Sequence, residues 1–168
     1  PGTLIQIRKA LKNDGLFIGT MFGSGTLKEL DESFRIAEYK IKGKVTPRIS
    51  PFVDIKDAGN LLQRAGFNLI VCDTDFLNIE YNDPLELLKD IRYMGESNCL
   101  VEREKIFLRK DILKTLLNTY KQKFSNDKGK IIASVNIIFV LGWSPHSSQQ
   151  KPLKPGTANF SMEKILKM

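Results

Sequence analysis

Apolar positions recur along this chain in two rhythms, a three-to-four spacing and denser runs, and their order spells an α/β protein. Leu4, Ile7 and Leu11 fall at helical spacing over residues 3–11. Arg8 and Lys9 lie near the end, where the helix dipole favours cations. Lys12-Asn13-Asp14-Gly15 is the stop, with Gly15 expected in the left-handed conformation that ends a helix. Leu16–Phe22 is apolar at nearly every position, the pattern of a strand covered by helices on both faces. Gly23-Ser24-Gly25 is a turn. Thr26-Leu27-Lys28-Glu29 reads as a capping box that opens a helix running to about Tyr39. Leu27, Leu30, Phe34 and Ala37 share one face of that helix.

The same rhythms continue. Residues 42–52 form a loop carrying Pro47 and Pro51. Asp54 caps a helix with Ile55, Ala58, Leu61, Leu62 and Ala65 inward, stopped at Gly66. Phe67–Cys72 is a strand and Phe76–Tyr81 alternates like its half-exposed continuation; Asp73-Thr74-Asp75 between them is either a bulge or a turn. Asn82-Asp83-Pro84 opens a helix with Pro at its first position. It is lined by Leu85, Leu88, Ile91 and Met94, and ended at Gly95. Residues 96–103 are irregular. A helix over 110–124 carries Ile112, Leu113, Leu116, Leu117 and Tyr120 inward. Asn126–Gly129 is a turn, and Ile131–Trp143 is a long apolar strand. Residues 1–145 form the folded body, and 146–168 an extended polar tail with a short end helix over 160–168. Strands this few make a narrow α/β sheet. Its apolar edge at Leu16–Phe22 invites a partner, here a second copy. The opening helix and strand also presuppose a preceding strand and loop, so the chain reads as part of a larger architecture.

Composition narrows the function classes. The 168 residues suit one domain or a large piece of one, and 42% hydrophobic with 27% charged residues is globular. The longest apolar run is interrupted by Ser134 and Asn136, which argues against a membrane span, and no secretory leader is visible. The net charge of +7 comes from scattered lysines without interleaved aromatic pairs. That favours an acidic protein partner, or solvated surface lysine with no role, over nucleic acid. Cys72 and Cys99 sit in unrelated contexts without metal-ligand spacing, as reduced thiols of a cytosolic-type compartment would.

Candidate chemistry is sparse. Gly23-Ser24-Gly25 follows a strand and precedes a helix. It departs from a dinucleotide fingerprint, because Lys28 stands at the third glycine position and no acidic residue ends a following strand. A tight turn accounts for it. His146, the only histidine, has no candidate partner and suits a loop hydrogen bond better than a general base or a partner contact. Asp73 and Asp75 would share one face of a strand as paired carboxylates, but turn chemistry explains them better. Arg48, on a loop stiffened by Pro47 and Pro51, suits a carboxylate or phosphate, or plain surface exposure. No residue is identified as catalytic.

Several segments resemble a known family. Pro1–Leu4, Arg8–Leu11 and Asp14–Phe17 are similar to the helix, turn and fifth strand of class I S-adenosylmethionine-dependent methyltransferases, and Leu61–Phe67 to the step into their sixth strand. Thr46–Phe52, Asp73–Asp75, Met94–Asn98 and Gly142–Pro152 resemble a subgroup holding BioC-like malonyl-carrier-protein methyltransferases and, more closely, complex I assembly factor 5-type proteins. The resemblance covers essentially the whole chain. It implies the C-terminal part of a Rossmann-like sheet, with strands five, six and seven at Leu16–Phe22, Phe67–Tyr81 and Ile131–Trp143. The last is antiparallel and inserted between the other two. It also implies lid inserts at 23–53 and 82–130, which would bring Arg48, Tyr81, Asn98 and Phe22 to a substrate pocket. The cofactor of the intact family is S-adenosylmethionine, and the cofactor-binding half lies outside this chain, so none of its residues is expected to hold it. The implied functions are a methyltransferase portion acting on an acidic carrier protein, or an arginine-hydroxylase-type or non-catalytic assembly factor meeting a respiratory-complex subunit. The implied location is the bacterial cytoplasm or the mitochondrial matrix.

Overall fold

The computed structural model describes residues 2–152, 154, 156, 157 and 166. Its elements follow the order α1 (Gly2–Ala10), β1 (Leu16–Phe22), α2 (Lys28–Lys42), α3 (Ile55–Ala65), β2 (Asn68–Tyr81), α4 (Pro84–Tyr93), α5 (Lys110–Phe124) and β3 (Ile131–Trp143). The proposed end helix over 160–168 falls almost entirely outside the described residues.

The three strands form one sheet of order β1-β3-β2, and β3 runs antiparallel to both neighbours. The last strand is therefore central, and β1 and β2 are its edges. Its partner β1 is not covered on both faces, contrary to the sequence pattern. Leu16 is 44% and Ile18 66% exposed, while the alternate residues Phe17, Gly19 and Met21 are half-buried. One face of this strand has no helix over it among the described residues.

Two apolar clusters flank the sheet. α1 and α3 lie over one face, where Ala58, Leu62, Ala65 and Phe67 pack on Ile138 and Val140 of β3. α2, α4 and α5 gather at the other end around Leu30, Phe34, Leu87, Ile112, Leu116 and Tyr120, closing on Ile131 and Ala133. The helical spacing read from the sequence identifies most of these residues. In α4, however, the inward residues are Pro84 and Leu87, with Leu88 and Ile91 half-buried, whereas Leu85 and Met94 are exposed.

The local signals were redirected by tertiary contacts at four places. Asp14, with φ of 61°, takes the left-handed position instead of Gly15; a Cβ on Gly15 would lie 2.8 Å from the Lys12 carbonyl oxygen. Asp73–Asp75 is regular strand, and the register shift sits between Asn68 and Val71, where Leu69 has φ of 50°. That strand begins at Asn68 rather than Phe67 and runs unbroken to Tyr81. The capping box does not form. α2 starts at Lys28 behind a left-handed Leu27 without a side-chain cap, because Thr26 and Glu29 serve β3 instead.

That diversion closes the edge of β3 where β1 ends. Gly23 N donates to Asn136 O at 2.8 Å, Asn136 N to Thr26 Oγ1 at 3.0 Å, and Leu27 N to Ser134 O at 2.8 Å. Ser134 then donates its N–H to Glu29 Oε2 at 3.0 Å and its hydroxyl to Glu29 Oε1. Tyr120 OH donates to Ile132 O at 2.9 Å. Backbone groups that a neighbouring strand would have paired are met by the N–H groups of Gly23 and Leu27 and by three side chains, the Thr26 hydroxyl, the Glu29 carboxylate and the Tyr120 phenol. No helix among the described residues is long and apolar enough to cross a membrane.

Candidate functional site

A cleft of about 530 Å³ opens between the helical end of the molecule and the sheet. Its floor is Ala133, Val135 and Ile137 of β3 with Leu77, Ile79 and Tyr81 of β2. These positions alternate along their strands and so share one sheet face. Its walls are Leu27 just before α2, Leu30 and Phe34 of α2, Leu87, Leu88 and Ile91 of α4, and the loop residues Ile49 and Phe52. Segments 23–53 and 82–130 thus supply everything but Phe22 and the strands. A cavity of this size and composition suits a largely apolar ligand oriented by few polar groups.

Phe22, Arg48, Tyr81 and Asn98 all line this cleft. Each is held by a neighbour. The Phe22 ring meets Phe52 edge-on with centroids 6.0 Å apart. Asn98 Nδ2 donates to Pro47 O at 2.9 Å and its Oδ1 accepts from Leu100 N, which ties residues 94–109 to the proline loop. Burial, with the nearby Asp90 carboxylate, pushes the Tyr81 phenol up, so it is neutral at physiological pH.

Arg48 sits in a charge cluster at one end of the cleft. Glu38, whose side chain is fully buried, accepts from Arg48 Nε at 2.8 Å and Nη2 at 2.5 Å, from Thr46 N at 2.7 Å, and from the Thr46 hydroxyl. Lys42 Nζ lies 3.3 Å from Glu38 Oε1 and 2.5 Å from Glu104 Oε2, and Arg48 Nη2 lies 3.0 Å from the same Glu104 oxygen. Burial alone would raise the Glu38 carboxyl. The hydrogen bonds from Thr46 and Arg48, with the Arg48 charge, outweigh it and hold the group at about 2. Glu104 is also held below the usual carboxylate range, first by the Lys42 ammonium. Two acids and two bases cancel, so the cluster is neutral while densely hydrogen-bonded.

Most of this cluster is not legible from local motifs. Thr46 was visible only within a resembling segment, and Glu104 lies in an irregular stretch. Glu38 did carry a signal: it falls four residues after Phe34 and eight after Leu30, on the buried stripe of α2, where a lone acid requires partners. Asp73, Asp75 and His146 lie outside the cleft. Both aspartates are exposed, and His146 Nδ1 pairs with Ser148 Oγ at 2.7 Å. Among the described residues no cluster of three His, Cys, Asp or Glu side chains has metal-binding geometry.

In the glycine turn between β1 and α2, Gly23–Gly25, Gly23 is buried against the core while Ser24 and Gly25 are exposed. A Cβ at Gly23 would lie 2.7 Å from Ile138 Cγ1 and 2.8 Å from Asn136 Nδ2, so no ligand can approach at that residue, whereas one at Gly25 would meet nothing within 4 Å. The cleft itself offers an ion-paired cluster on apolar walls, with the Glu96 carboxylate also in its lining.

No protein-family model matches the chain. Among curated proteins, it is 42% identical over all 168 residues to "Arginine-hydroxylase NDUFAF5, mitochondrial" of Danio rerio, covering 52% of that protein. It is 29% identical over 145 residues to the "Malonyl-[acyl-carrier protein] O-methyltransferase" of Gallionella capsiferriformans, covering 86% of this chain and 47% of that one. Among solved structures it aligns with the YcgJ protein of Bacillus subtilis at 14% identity and a TM-score of 0.45, over 86% of this chain and 57% of the other. The chain spans about half the length of the curated relatives it matches. These sequence relatives support, for this chain, a class I S-adenosylmethionine-dependent methyltransferase-like family that includes the NDUFAF5 proteins and the malonyl-[acyl-carrier protein] O-methyltransferases.

Proposed function

We propose that this chain is the substrate-side, C-terminal portion of an NDUFAF5-like protein. In this reading β1, β2 and β3 are strands five, six and seven of a larger sheet whose remaining part holds S-adenosylmethionine. The observation that carries it is the unfinished side of β1. Its outer edge is unpaired among the described residues, and Leu16 and Ile18 stand exposed on its open face beside the central strand's Phe139, which is 42% exposed. A full-length relative has about as much chain again with which to cover them. Calorimetry with S-adenosylmethionine tests this. The 168-residue chain gives no binding heat at millimolar ligand, and a polypeptide carrying the same chain within an NDUFAF5-length protein binds. Micromolar binding by the chain alone would overturn the assignment.

On this reading the cleft receives the substrate, with the apolar walls holding its body and Arg48 orienting an acidic end. Phe22, Tyr81 and Asn98 shape the pocket. Methyl transfer to a carboxylate needs mainly alignment of the acceptor oxygen with the donor carbon, and the basic surface suits an acidic carrier protein. The higher identity to proteins named arginine-hydroxylase favours a second reading. There the cleft takes a guanidinium from a respiratory-complex subunit against Glu96 and Glu104, in the mitochondrial matrix. Titrating the chain with octanoate and with N-acetyl-arginine amide separates the two, because only one of these opposite charges will bind measurably.

A further inference from the structure

Resting on the reading of the cleft as the substrate side, we propose that Glu104 is a built-in occupant of an anion subsite. Arg48 and Lys42 form that subsite, and the carboxylate head of an apolar ligand takes the place of Glu104. The two acids of the cluster are not equivalent. Glu38 projects from α2, its side chain has no exposure, and both of its oxygens are used by Thr46, Arg48 and Lys42. It is part of the wall. Glu104 comes from the irregular stretch between α4 and α5, and its side chain retains 19% exposure. It reaches both cations through one oxygen, Oε2, at 2.5 Å from Lys42 Nζ and 3.0 Å from Arg48 Nη2.

The cleft runs up to this pair. Arg48 and Glu104 both line it, beside Phe34, Leu108 and Ile49. A ligand oxygen at the position of Glu104 Oε2 would meet the same two donors, with its hydrocarbon body along the apolar walls. The exchange replaces one carboxylate by another, so Glu38, Arg48 and Lys42 keep a balanced charge and no buried ion is stranded. A neutral ligand finds the cations already satisfied and has only the walls to bind. A cationic ligand would add a third positive charge against two acids. Glu104 therefore excludes uncharged and positive groups from the head position while yielding to a carboxylate. That selectivity arises from a repulsive and an attractive element together.

The test is calorimetry on the full chain with octanoate and octan-1-ol as probes. In Glu104→Gln, octanoate binds about tenfold more tightly than in the unaltered chain, a gain of ~1.4 kcal/mol. Octanol binds equally to both. Glu104 lies on an exposed stretch, so the variant folds; Arg48→Lys keeps a charge beside Glu38 and loses the preference for octanoate over octanol. Octanoate affinity unchanged in Glu104→Gln but reduced in Arg48→Lys would overturn the placeholder role and leave the substrate-side cleft standing. Failure of octanoate and octanol alike to bind would remove the cleft reading as well.

Discussion

Single residues carry the strongest constraints, and Glu38 carries most. Its carboxyl is held at about 2 against an ordinary 4.5, so the folded chain releases this proton far more readily than the unfolded one. The sign follows: the stabilisation is complete above pH 4.5 and is lost as pH falls toward 2. It amounts to roughly 3 kcal/mol at neutral pH. Denaturant unfolding at pH 7, 4.5 and 2.5 should show stability falling over the lower interval. In Glu38→Gln that acid-sensitive loss should disappear while neutral-pH stability drops. A second residue-scale expectation concerns Gly23. Its missing Cβ would meet Ile138 and Asn136 within 2.8 Å, so Gly23→Ala should cost about 1–3 kcal/mol in the same measurement. No motif marks either residue. Glu38 is legible only as an acid on a buried stripe, and Gly23 reads as a turn glycine although its packing against β3 makes it indispensable.

At the scale of elements, periodicity is a good guide where one face is plainly buried. It fails where a side chain leaves its own element. The inward residues of α2 and α5 follow from spacing alone. The capping box does not survive, because Glu29 binds Ser134, 105 residues away, instead of the start of its own helix. Local and distant uses of one carboxylate look identical in sequence. A Glu29→Gln substitution discriminates them. If Glu29 were a cap, the change would cost a few tenths of a kcal/mol. As the acceptor closing the edge of β3 it should cost about 1.5–3 kcal/mol, with hydrogen exchange speeding at Ser134 and leaving the first turn of α2 unchanged. Leu16–Phe22 taught the converse: an all-apolar strand implies cover on both faces, yet one face is open among the described residues.

For the whole molecule, the open face and free edge of β1 set its behaviour in solution. Without the remainder of a longer sheet, the chain should pair with a second copy through β1. Light scattering over rising concentration should give masses above that of the monomer, and Ile18→Lys, which places a charge on the open face, should restore the monomer. A monomer at the highest concentration would contradict the expectation. The substrate-side cleft is independent of this contact, since β1 contributes only Phe22 to its lining.

The segment from Gly23 to Glu29 acts as a ruler. Its donors and acceptors meet Asn136 and Ser134 in strict alternation, so its length is as constrained as a strand register. Adding one residue there would put every later group out of phase and let water or another chain into the edge of β3. The stretch from Cys99 to Val101, by contrast, holds few fixed partners and can vary in length. Insertions and deletions among related chains should therefore gather on the rim of the cleft, where they alter what is admitted. They should avoid the seven residues that decide where the sheet stops and the cleft starts.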